Sequence, residues 1–369
     1  MEASARPKSP SRPASWASTA RKRGRSGSVS NAVPVVPQGR AAPPFTCLFP
    51  IRAGAPTARR IFGRSRGVHA RRIDRVIDIP EELVATQIRF NGAAGRDFIA
   101  ALPERAAEFL DRWGLKLTGP SLNGMSALVL PVERADGTPA ALKMQLLDEE
   151  SEGEPVALRV WGGAGVVRLL DHDADTNTLL LERLDEKRHL STLDDSREAT
   201  RILAELLARL SAVPAPGGLR QLGDIARQML DAVPDAVRKV ADPAERALLQ
   251  SCAAAVREVV GEPGDRLLHW DLHYDNILAA DREPWLAIDP KPLAGDPGFE
   301  LMPALANDFA PSEVRYRFDL MTEVLGLDRQ RAAAWTLGRS LQNLLWNIED
   351  EEDELDQEQL AIARLLLGR

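Results

Sequence analysis

HWDLHYDN, residues 269–276, is the stretch that decides the fold of this chain. It places two histidines, two aspartates and one asparagine within eight positions. A further acid, Asp289, lies thirteen residues after Asn276 in the segment WLAIDPKP (residues 285–292). The short apolar stretches RLL, NIL and WLAI flank these polar residues, so we predict two loops between short strands. Such a cluster fits a metal site, a structural turn or a catalytic centre.

Zinc binding and a structural turn are the first two alternatives. His269 and His273 are four residues apart, which on a helix would bring both imidazoles to one face, as zinc ligands require. The octapeptide follows a strand-like RLL, however, and no third soft ligand is evident, which argues against zinc. Asp and Asn side chains in a turn bond readily to nearby backbone. A turn alone does not account for Asp289 on a second short strand.

Phosphoryl transfer is the third alternative. Asp271 and Asn276 have the D-x-x-x-x-N spacing of a kinase catalytic loop, in which the Asp faces the acceptor hydroxyl and the Asn holds Mg²⁺. Asp289 then stands where a kinase places the acid that links the metal to the ATP phosphates. Mg²⁺ prefers hard oxygen ligands and usually takes only one or two carboxylates. The two segments together therefore favour a kinase site.

The segment LLHWDLHYDNILAADREPWLAIDPKPLAGDPGFEL (residues 267–301) resembles the signature of the aminoglycoside phosphotransferases. Its IDPKPLAGDP extension, with GEPVALRVWGGAGVVRLLDHD (residues 153–173) upstream, is similar to the streptomycin 6-kinase and hydroxyurea phosphotransferase branch. The resemblance covers about residues 77–345. It implies an α+β, two-lobed protein-kinase-like fold and a phosphotransferase that uses ATP and Mg²⁺ and has an alcohol group as acceptor.

The resemblance implies roles for residues of the octapeptide and its neighbour. Asp271 matches the catalytic Asp, and His269 matches the histidine that supports the loop. Asn276 and Asp289 match the metal ligands. Trp270 stands where kinase loops commonly have Arg or Gly, which predicts that this loop packs differently from that of the protein kinases.

The resemblance also implies an ATP site. Lys143, in the strand-like AALKMQL, matches the lysine that pairs with the ATP phosphates. Its acid partner is expected to be Glu154 or, as the alternative, Glu152. The segment LLERL matches the hinge between lobes, whose backbone would bond the adenine near Glu182 and Arg183.

A loop and two acids give further candidates. The loop GPSLNGMSALVL (residues 119–130) covers the phosphate position without a G-x-G-x-x-G pattern, and Asn123, Gly124 and Ser126 are its candidate contacts. We expect acids of the helical part to bind a cationic acceptor, and Asp296 and Glu300 are the nearest candidates in sequence to the catalytic loop. For Asp296, the cap of a helix that begins at GFELMPAL is an equal alternative.

Periodicity predicts a sheet-rich part followed by a helical part. SALVLPVERADGTPAALKMQLL predicts two strands joined at Asp136–Gly137, EPVALRVW a short helix, and VVRLLDHD and TLLLERL two further strands. RDFIAALPERAAEFLDRWG predicts one or two helices, with Pro103 in a first turn. After Leu184 the pattern is mostly helical, as in REATRILAELLARLSAV. We therefore expect a lobe at 73–184 with the ATP-binding sheet and a lobe at 185–369 with the catalytic loop.

Charge divides the chain in two. Residues 1–75 carry 16 Lys and Arg against two acids, whereas the remaining residues carry 31 Lys and Arg against 52 acids, a formal charge of −21. So acidic a body repels nucleic acid and favours a cationic small molecule. Two cysteines indicate a reducing compartment and predict a cytoplasmic location. No apolar run reaches the roughly 18 residues of a membrane span.

The basic segment 1–72 is rich in Arg, Ser and Pro and lacks sustained apolar periodicity, which predicts a disordered tail. A transit peptide and a nucleic-acid-binding tail are the alternatives.

These observations predict an ATP-dependent small-molecule kinase that phosphorylates a hydroxyl of an aminoglycoside such as streptomycin and so confers antibiotic resistance. A kinase for hydroxyurea or another small metabolite is the alternative within the same fold. A nucleotide-binding pseudokinase is the alternative from another class, but such a protein would usually have lost one of four residues that this chain retains, namely Lys143, Asp271, Asn276 and Asp289.

Overall fold

The computed structural model describes residues 77–350 and 354–368, so the predictions for the tail 1–72 lie outside the described residues. In chain order its elements are α1 (Glu81–Arg112), β1 (Lys116–Leu117), β2 (Leu122–Asn123), β3 (Ala127–Glu133), β4 (Pro139–Gln145), α2 (Glu154–Trp161), β5 (Leu169–Asp173), β6 (Thr178–Glu182), β7 (Asp185–His189), α3 (Ser196–Ser211), β8 (Arg220–Gln221), α4 (Leu222–Lys239), α5 (Pro243–Val259), β9 (Arg266–Leu268), β10 (Ile277–Ala279), β11 (Trp285–Ala287), β12 (Leu293–Gly295), α6 (Leu301–Ala306), α7 (Val314–Val324), α8 (Arg329–Glu349) and α9 (Gln357–Leu366).

A six-stranded antiparallel sheet forms the first part of the described chain. Its strands follow the order β1-β3-β4-β6-β5, and β2 pairs with β3. The predicted β3–β4 hairpin is confirmed, with Gly137 in the left-handed region that a tight turn requires (φ 84°). The predicted helix at EPVALRVW and the strands before Leu184 are confirmed as well. Lys143 lies on β4, which is the second strand of the β3–β4 hairpin and the middle strand in the order given above.

Helix α1 packs its apolar side against that sheet. The helix is kinked at Gly92, whose backbone is not helical (φ 53°, ψ −117°). The prediction for Pro103 is wrong, because the proline lies inside the helix and not in a first turn. Phe98, Leu102 and Phe109 continue one buried stripe across it. Burial of this stripe outweighs the single backbone hydrogen bond that the proline removes.

The second part of the described chain is mostly helical, as predicted. Helix α8 lies in its middle and packs against α4, α5 and α9. Cys252, on α5, is fully buried there, in agreement with its apolar stripe. Among the described residues, no helix combines the length and the apolar character that crossing a bilayer demands.

Two small sheets interrupt the helices, and one of their strands was not predicted. Strands β7, β10 and β11 form one sheet, and β8, β9 and β12 form the other. Strand β7 follows Leu184, where helix was expected. Its sequence DEKRH has no apolar alternation, and its partner β10 is 88 or more residues away, so only the tertiary pairing defines it. These two sheets carry the octapeptide and Asp289.

Candidate active site

Two strand pairs bring the two polar segments together. The octapeptide connects β9 to β10, and Asp289 lies between β11 and β12. Strand β9 pairs with β12, and β10 pairs with β11, so both segments leave the sheets at one place. The backbone N–H of Ile288 donates to the carbonyl of Asn276 (2.9 Å), and that of Lys291 donates to the carbonyl of His269 (3.0 Å). The sequence predicted this convergence from the spacing of Asp271, Asn276 and Asp289.

Glu300 binds the backbone at the start of the octapeptide. Its two carboxylate oxygens accept hydrogen bonds from the backbone N–H groups of His269 (2.5 Å) and Trp270 (3.0 Å). Trp270 has a left-handed backbone (φ 66°), which is strained for a bulky residue. Burial raises the pKa of Glu300 to about 8, against the lowering effect of these two N–H groups. Glu300 thus stabilises a loop conformation that the chain would otherwise avoid.

His269 is buried and neutral. Its ring Nε2 donates to the carbonyl of Ile288 (3.0 Å), which links the loop to the segment of Asp289. Burial lowers the pKa of His269 to about 3, so the ring stays uncharged at neutral pH. The ring also stacks on Trp161 of α2, with centroids 6.3 Å apart. These contacts are those expected of a histidine that supports the loop.

Asp271 is 2% exposed, and neither of its carboxylate oxygens has a hydrogen-bond partner among the described residues. Its backbone carbonyl accepts from Nδ2 of Asn276 (2.9 Å), which closes the loop. Burial raises the pKa of Asp271, and the charges of His273, Lys291 and Arg339 act against that rise. Two unsatisfied buried acceptors are costly and indicate that a donor arrives from outside the chain.

Lys143 lies within an ion-pair cluster that spans both parts of the molecule. Its ammonium is 2.7 Å from each carboxylate oxygen of Glu154 and 2.5 Å from Oδ1 of Asp289. Glu154 is fully buried at the start of α2, whereas Glu152 is exposed, so the structure pairs Lys143 with the first of the two expected acids. Gln145, two residues after Lys143, donates to the other side of Glu154 (Oε2, 2.5 Å).

Asp289 is poised to hold a cation. Its backbone is left-handed (φ 56°) and its side chain keeps 30% of its surface exposed. Burial raises its pKa, but the ammonium groups of Lys143 and Lys291 outweigh that effect and hold the pKa below its usual range. A carboxylate from Asp289 and an amide oxygen from Asn276, whose backbone carbonyl accepts from the N–H of Ile288, are hard oxygen ligands of the kind that Mg²⁺ prefers.

Two protein side chains are enough to bind Mg²⁺ when a nucleotide supplies further oxygen ligands. Across residues 77–350 and 354–368, no three His, Cys, Asp or Glu side chains form a group suited to a metal ion. Mg²⁺ in kinase sites does not need such a group, since it is bound by one or two side chains together with phosphate oxygens and water. Asn276 and Asp289 are such a pair of side chains.

Glu182 and Arg183, the two candidate hinge residues, differ in which of their groups are already hydrogen-bonded within the protein. Glu182 ends β6, and its backbone N–H donates to the carbonyl of Arg168 (3.0 Å), so this N–H is already used within the sheet. Its carboxylate accepts from Arg282 (2.6 Å) and from the N–H of Arg168 (2.8 Å). Arg183 follows the strand, and its side chain pairs with Glu186 (2.8 Å). Glu182 therefore braces the hinge, which was not expected, and Arg183 remains the candidate for backbone contact with adenine.

Ser126 lies in the turn between β2 and β3. Its carbonyl accepts from Nε2 of Gln87 on α1 (2.9 Å). The next residue, Ala127, pairs with Gln145, and Lys143 lies two residues back along the same strand. The turn is therefore at the Lys143 end of the sheet, as expected of a loop over the phosphates.

The structure does not support Asp296 and Glu300 as ligands of the acceptor. Asp296 accepts from the N–H of Gly298 (2.8 Å) as a helix cap and pairs with Arg331 (2.6 Å). This is the capping alternative that the sequence left open. Glu300 is only 1% exposed, with both oxygens engaged by the loop. Sequence proximity failed here because both side chains point into the packing beneath the loop.

Sequence reasoning missed three charged residues around the site. Lys291 bonds Asp289 through its ammonium (3.0 Å). Arg220 and Arg339 lie over the ring of Trp270, with guanidinium carbons 4.2 and 4.6 Å from the ring centroid. The only signal available was the lysine within IDPKP, since the two arginines lie about 50 and about 60 residues from the octapeptide.

Comparisons with known proteins identify the family of this chain. The family model of the aminoglycoside/hydroxyurea antibiotic resistance kinases matches residues 112–351. A hydroxyurea phosphotransferase from Kitasatospora aureofaciens is 61% identical over 314 residues, which cover 85% of this chain and 92% of that protein. A streptomycin 6-kinase from Streptomyces glaucescens is 57% identical over 302 residues, which cover 80% of this chain and 98% of that protein.

Solved structures show the same fold at low identity. A choline/ethanolamine kinase family protein from Mesorhizobium loti superposes with a TM-score of 0.52 at 17% identity and covers 72% of this chain and 95% of its own. A thermostable mutant of the aminoglycoside phosphotransferase APH(4)-Ia, in complex with ADP and hygromycin B, has a TM-score of 0.50 at 15% identity over 71% of this chain and 97% of its own. The α+β, protein-kinase-like fold is thereby confirmed. The family model covers most of the described residues, and this chain belongs to the aminoglycoside/hydroxyurea antibiotic resistance kinases.

Proposed function

We propose that this kinase transfers the γ-phosphate of ATP to a hydroxyl of an aminoglycoside such as streptomycin. The observation that carries the proposal is the buried Asp271, whose two oxygens have no partner among the described residues and whose loop meets the segment of Asp289, which in turn contacts Lys143. Such a site can orient a hydroxyl and place it beside a metal-bound triphosphate. Two relatives that are 57% and 54% identical are streptomycin 6-kinases.

The nucleotide would be held from both parts of the molecule. Lys143 would pair with the ATP phosphates, while Glu154 and Gln145 fix the direction of its ammonium. Asn276 and Asp289 would hold Mg²⁺, which when bound neutralises charge on the phosphates. We also infer that the boundary between the lobes lies near Leu184, directly after the hinge.

Asp271 would orient the acceptor and receive its proton. The hydroxyl would donate its hydrogen bond to a carboxylate oxygen that has no partner among the described residues. As the new bond from the acceptor oxygen to the γ-phosphorus forms, the bond from that phosphorus to the β,γ-bridging oxygen breaks and ADP leaves. The hydroxyl proton passes late to Asp271 and then to solvent. Positioning and electrostatics supply most of the acceleration in such transfers.

Hydroxyurea is the second candidate acceptor. It is favoured by the relative from Kitasatospora aureofaciens, a hydroxyurea phosphotransferase that is 61% identical to this chain. Hydroxyurea also presents a hydroxyl, so the same roles for Asp271 and the nucleotide site apply.

The test is phosphate transfer from γ-labelled ATP to a panel of streptomycin, hygromycin B, hydroxyurea and simple amino alcohols. We expect labelled streptomycin, with the phosphorylated hydroxyl located by NMR. Labelling of hydroxyurea without streptomycin would select the second candidate. Nucleotide binding without transfer to any compound of the panel would contradict the proposed function and favour a pseudokinase.

A further inference from the structure

Lys291 is a buried lysine whose backbone is fixed against the catalytic loop. Its N–H donates to the carbonyl of His269 (3.0 Å), and its own carbonyl accepts from Nη2 of Arg220 (3.1 Å). Pro290 and Pro292 on either side restrict the backbone further. The residue is only 6% exposed. These contacts fix the point from which the Lys291 side chain extends, beside the octapeptide.

The ammonium of Lys291 shares its acid with a second lysine. It donates to Oδ1 of Asp289 (3.0 Å), and the same oxygen is 2.5 Å from the ammonium of Lys143. Lys143 has another acid of its own, Glu154, at 2.7 Å from both oxygens. Lys291 also acts electrostatically on Asp271, where its charge opposes the rise in pKa that burial causes. Its ammonium therefore contacts the candidate metal-binding acid directly, and its charge also acts on the residue proposed to face the acceptor.

Binding of Mg²⁺ by Asp289 would affect the two lysines differently. Lys143 has a second acid in Glu154, whereas Asp289 is the acid within ion-pair distance of Lys291 among the described residues. A buried ammonium without an anionic partner is costly. In a kinase site the group that comes to lie between the metal-binding acid and the acceptor is the phosphoryl group in transfer, which would supply an anionic partner.

We propose that Lys291 is a second phosphate-directed lysine, which contacts the transferring phosphoryl group and stabilises its charge between ADP and the acceptor. This inference rests on the proposed kinase function and deepens it. The competing role is that of a structural counter-ion for Asp289, which would affect nucleotide binding and folding and would not act selectively on the transfer step.

The test compares Lys291→Met with Lys239→Met, which removes an exposed lysine at the end of α4 as a matched control. For Lys291→Met we expect kcat to fall about 100-fold, as when one donor to a developing charge is removed, with Mg·ADP affinity within about threefold of the parent. Affinity for ADP–aluminium fluoride, an analogue of the transferring phosphoryl group, should fall by about the same factor as kcat. Lys239→Met should match the parent in every measurement.

Equal losses of affinity for ADP and for ADP–aluminium fluoride would overturn the proposal, as would an unchanged kcat. Lys291→Gln keeps a hydrogen-bond donor for Asp289 without the charge, and we expect it to fold with the parent's melting temperature and to show the same loss of kcat. If Met and Gln variants both fail to fold while Lys291→Arg folds, Lys291 is a structural counter-ion and the proposal is wrong. The binding measurements need no turnover, so they test Lys291 even if no acceptor of the panel is phosphorylated, in which case only the proposed function fails.

Discussion

Among the described residues, Asp271 is the carboxylate that the fold buries without giving it a partner. Other buried acids of the site are satisfied: Glu154 by Lys143 and Gln145, and Glu300 by two backbone N–H groups. A buried carboxylate with open lone pairs destabilises the free protein. The simplest account is that the acceptor hydroxyl supplies the missing donor, since active sites are where folds retain such defects.

Asp271→Asn tests this account. The amide keeps the shape of the side chain but cannot take up a proton, so we expect kcat to fall by about 100-fold or more, as on loss of a catalytic base. Mg·ATP affinity, measured by calorimetry, should stay close to that of the parent. Turnover within about threefold of the parent would exclude a role in proton transfer.

The metal pair gives a second prediction at this scale. Asp289→Ala removes the carboxylate that would hold Mg²⁺, and we expect Mg²⁺-dependent ATP binding to disappear. Asn276→Ala removes an oxygen ligand and should raise the Mg²⁺ concentration needed for half-maximal activity. Titrations of ATP binding with Mg²⁺ measure both effects. Coincident titrations for Asp289→Ala and the parent would show that the metal is bound elsewhere.

Residues within motifs were the ones that the sequence predicted well. Asp271, Asn276 and Asp289 converge as expected because their spacing reflects a strand pairing, and Lys143 meets Glu154. Asp296 and Glu300 did not follow, because distance along the chain does not specify which way a side chain points. Lys291, Arg220 and Arg339 are positioned by contacts between distant segments, which no local pattern records.

At the scale of elements, the catalytic loop depends on the 3-10 turn at Pro297–Glu300 beneath it. At pH above about 8, where Glu300 is ionised, Glu300→Gln leaves one oxygen for two backbone donors and points an amide N–H group at the other. A buried donor left without a partner costs about 1–3 kcal/mol. We expect a lower melting temperature and a kcat at least about tenfold lower, with KM for ATP nearly unchanged. Thermal unfolding and steady-state kinetics provide the measurements, and an unchanged kcat would show that the loop holds its shape without Glu300.

The segment between β4 and α2 is tied to the helical part through Glu150 and Arg220, whose Oε1 and Nη1 are 3.2 Å apart. Burial raises the pKa of Glu150 to about 7, although Arg220 and Lys291 act to lower it. The folded state then binds this proton more tightly than the unfolded state. The stability that the group contributes is present at pH below its ordinary pKa and is lost as pH rises through about 7.

Glu150→Gln should remove this loss. Between about pH 5 and pH 8 we expect the free energy of unfolding of the variant to rise relative to the parent by an amount on the order of 1–3 kcal/mol. Urea unfolding at several pH values measures it. Glu358, whose pKa burial also raises to about 7, is present in both proteins and cancels in the difference. Glu152→Gln, at an exposed position nearby, is the control and should follow the parent. Parallel profiles for Glu150→Gln and the parent would refute the effect.

Elements were predictable where local signals dominate. The Asp136–Gly137 hairpin and α2 follow from turn chemistry and from helical periodicity. The interior position of Pro103 was not predictable, because burial of α1 against the sheet keeps the chain helical on both sides of the proline. Strand β7 was not predictable either, because only its pairing with β10 makes this segment a strand. Both are tertiary effects that override local preference.

At the scale of the whole molecule, the lobes share one core along the site. Trp161, on α2 of the first lobe, is buried with Leu210 of α3, whose carbonyl accepts from its indole N–H (3.0 Å). Trp161 also stacks on His269 of the loop. Helix α2 therefore links two parts of the site. Glu154 is its first residue, and Trp161, its last residue, contacts the octapeptide through His269. The relative position of Lys143 and Asp271 is set by this helix.

The charge of the body gives the last prediction. Residues 76–369 have a formal charge of −21, and the two acids first expected to bind the acceptor are engaged inside the protein. Attraction of a cationic acceptor must then come from the field of many surface acids, which salt screens beyond a Debye length of about 8 Å at physiological ionic strength. We expect KM for streptomycin to rise severalfold between about 50 mM and about 500 mM NaCl at saturating Mg·ATP. KM for hydroxyurea, which is uncharged, is the matched control and should stay constant. If both constants respond equally to salt, the effect lies in the nucleotide site or in the fold. If neither responds, direct contacts within the cleft bind the acceptor and the acidic surface has no part in its selection.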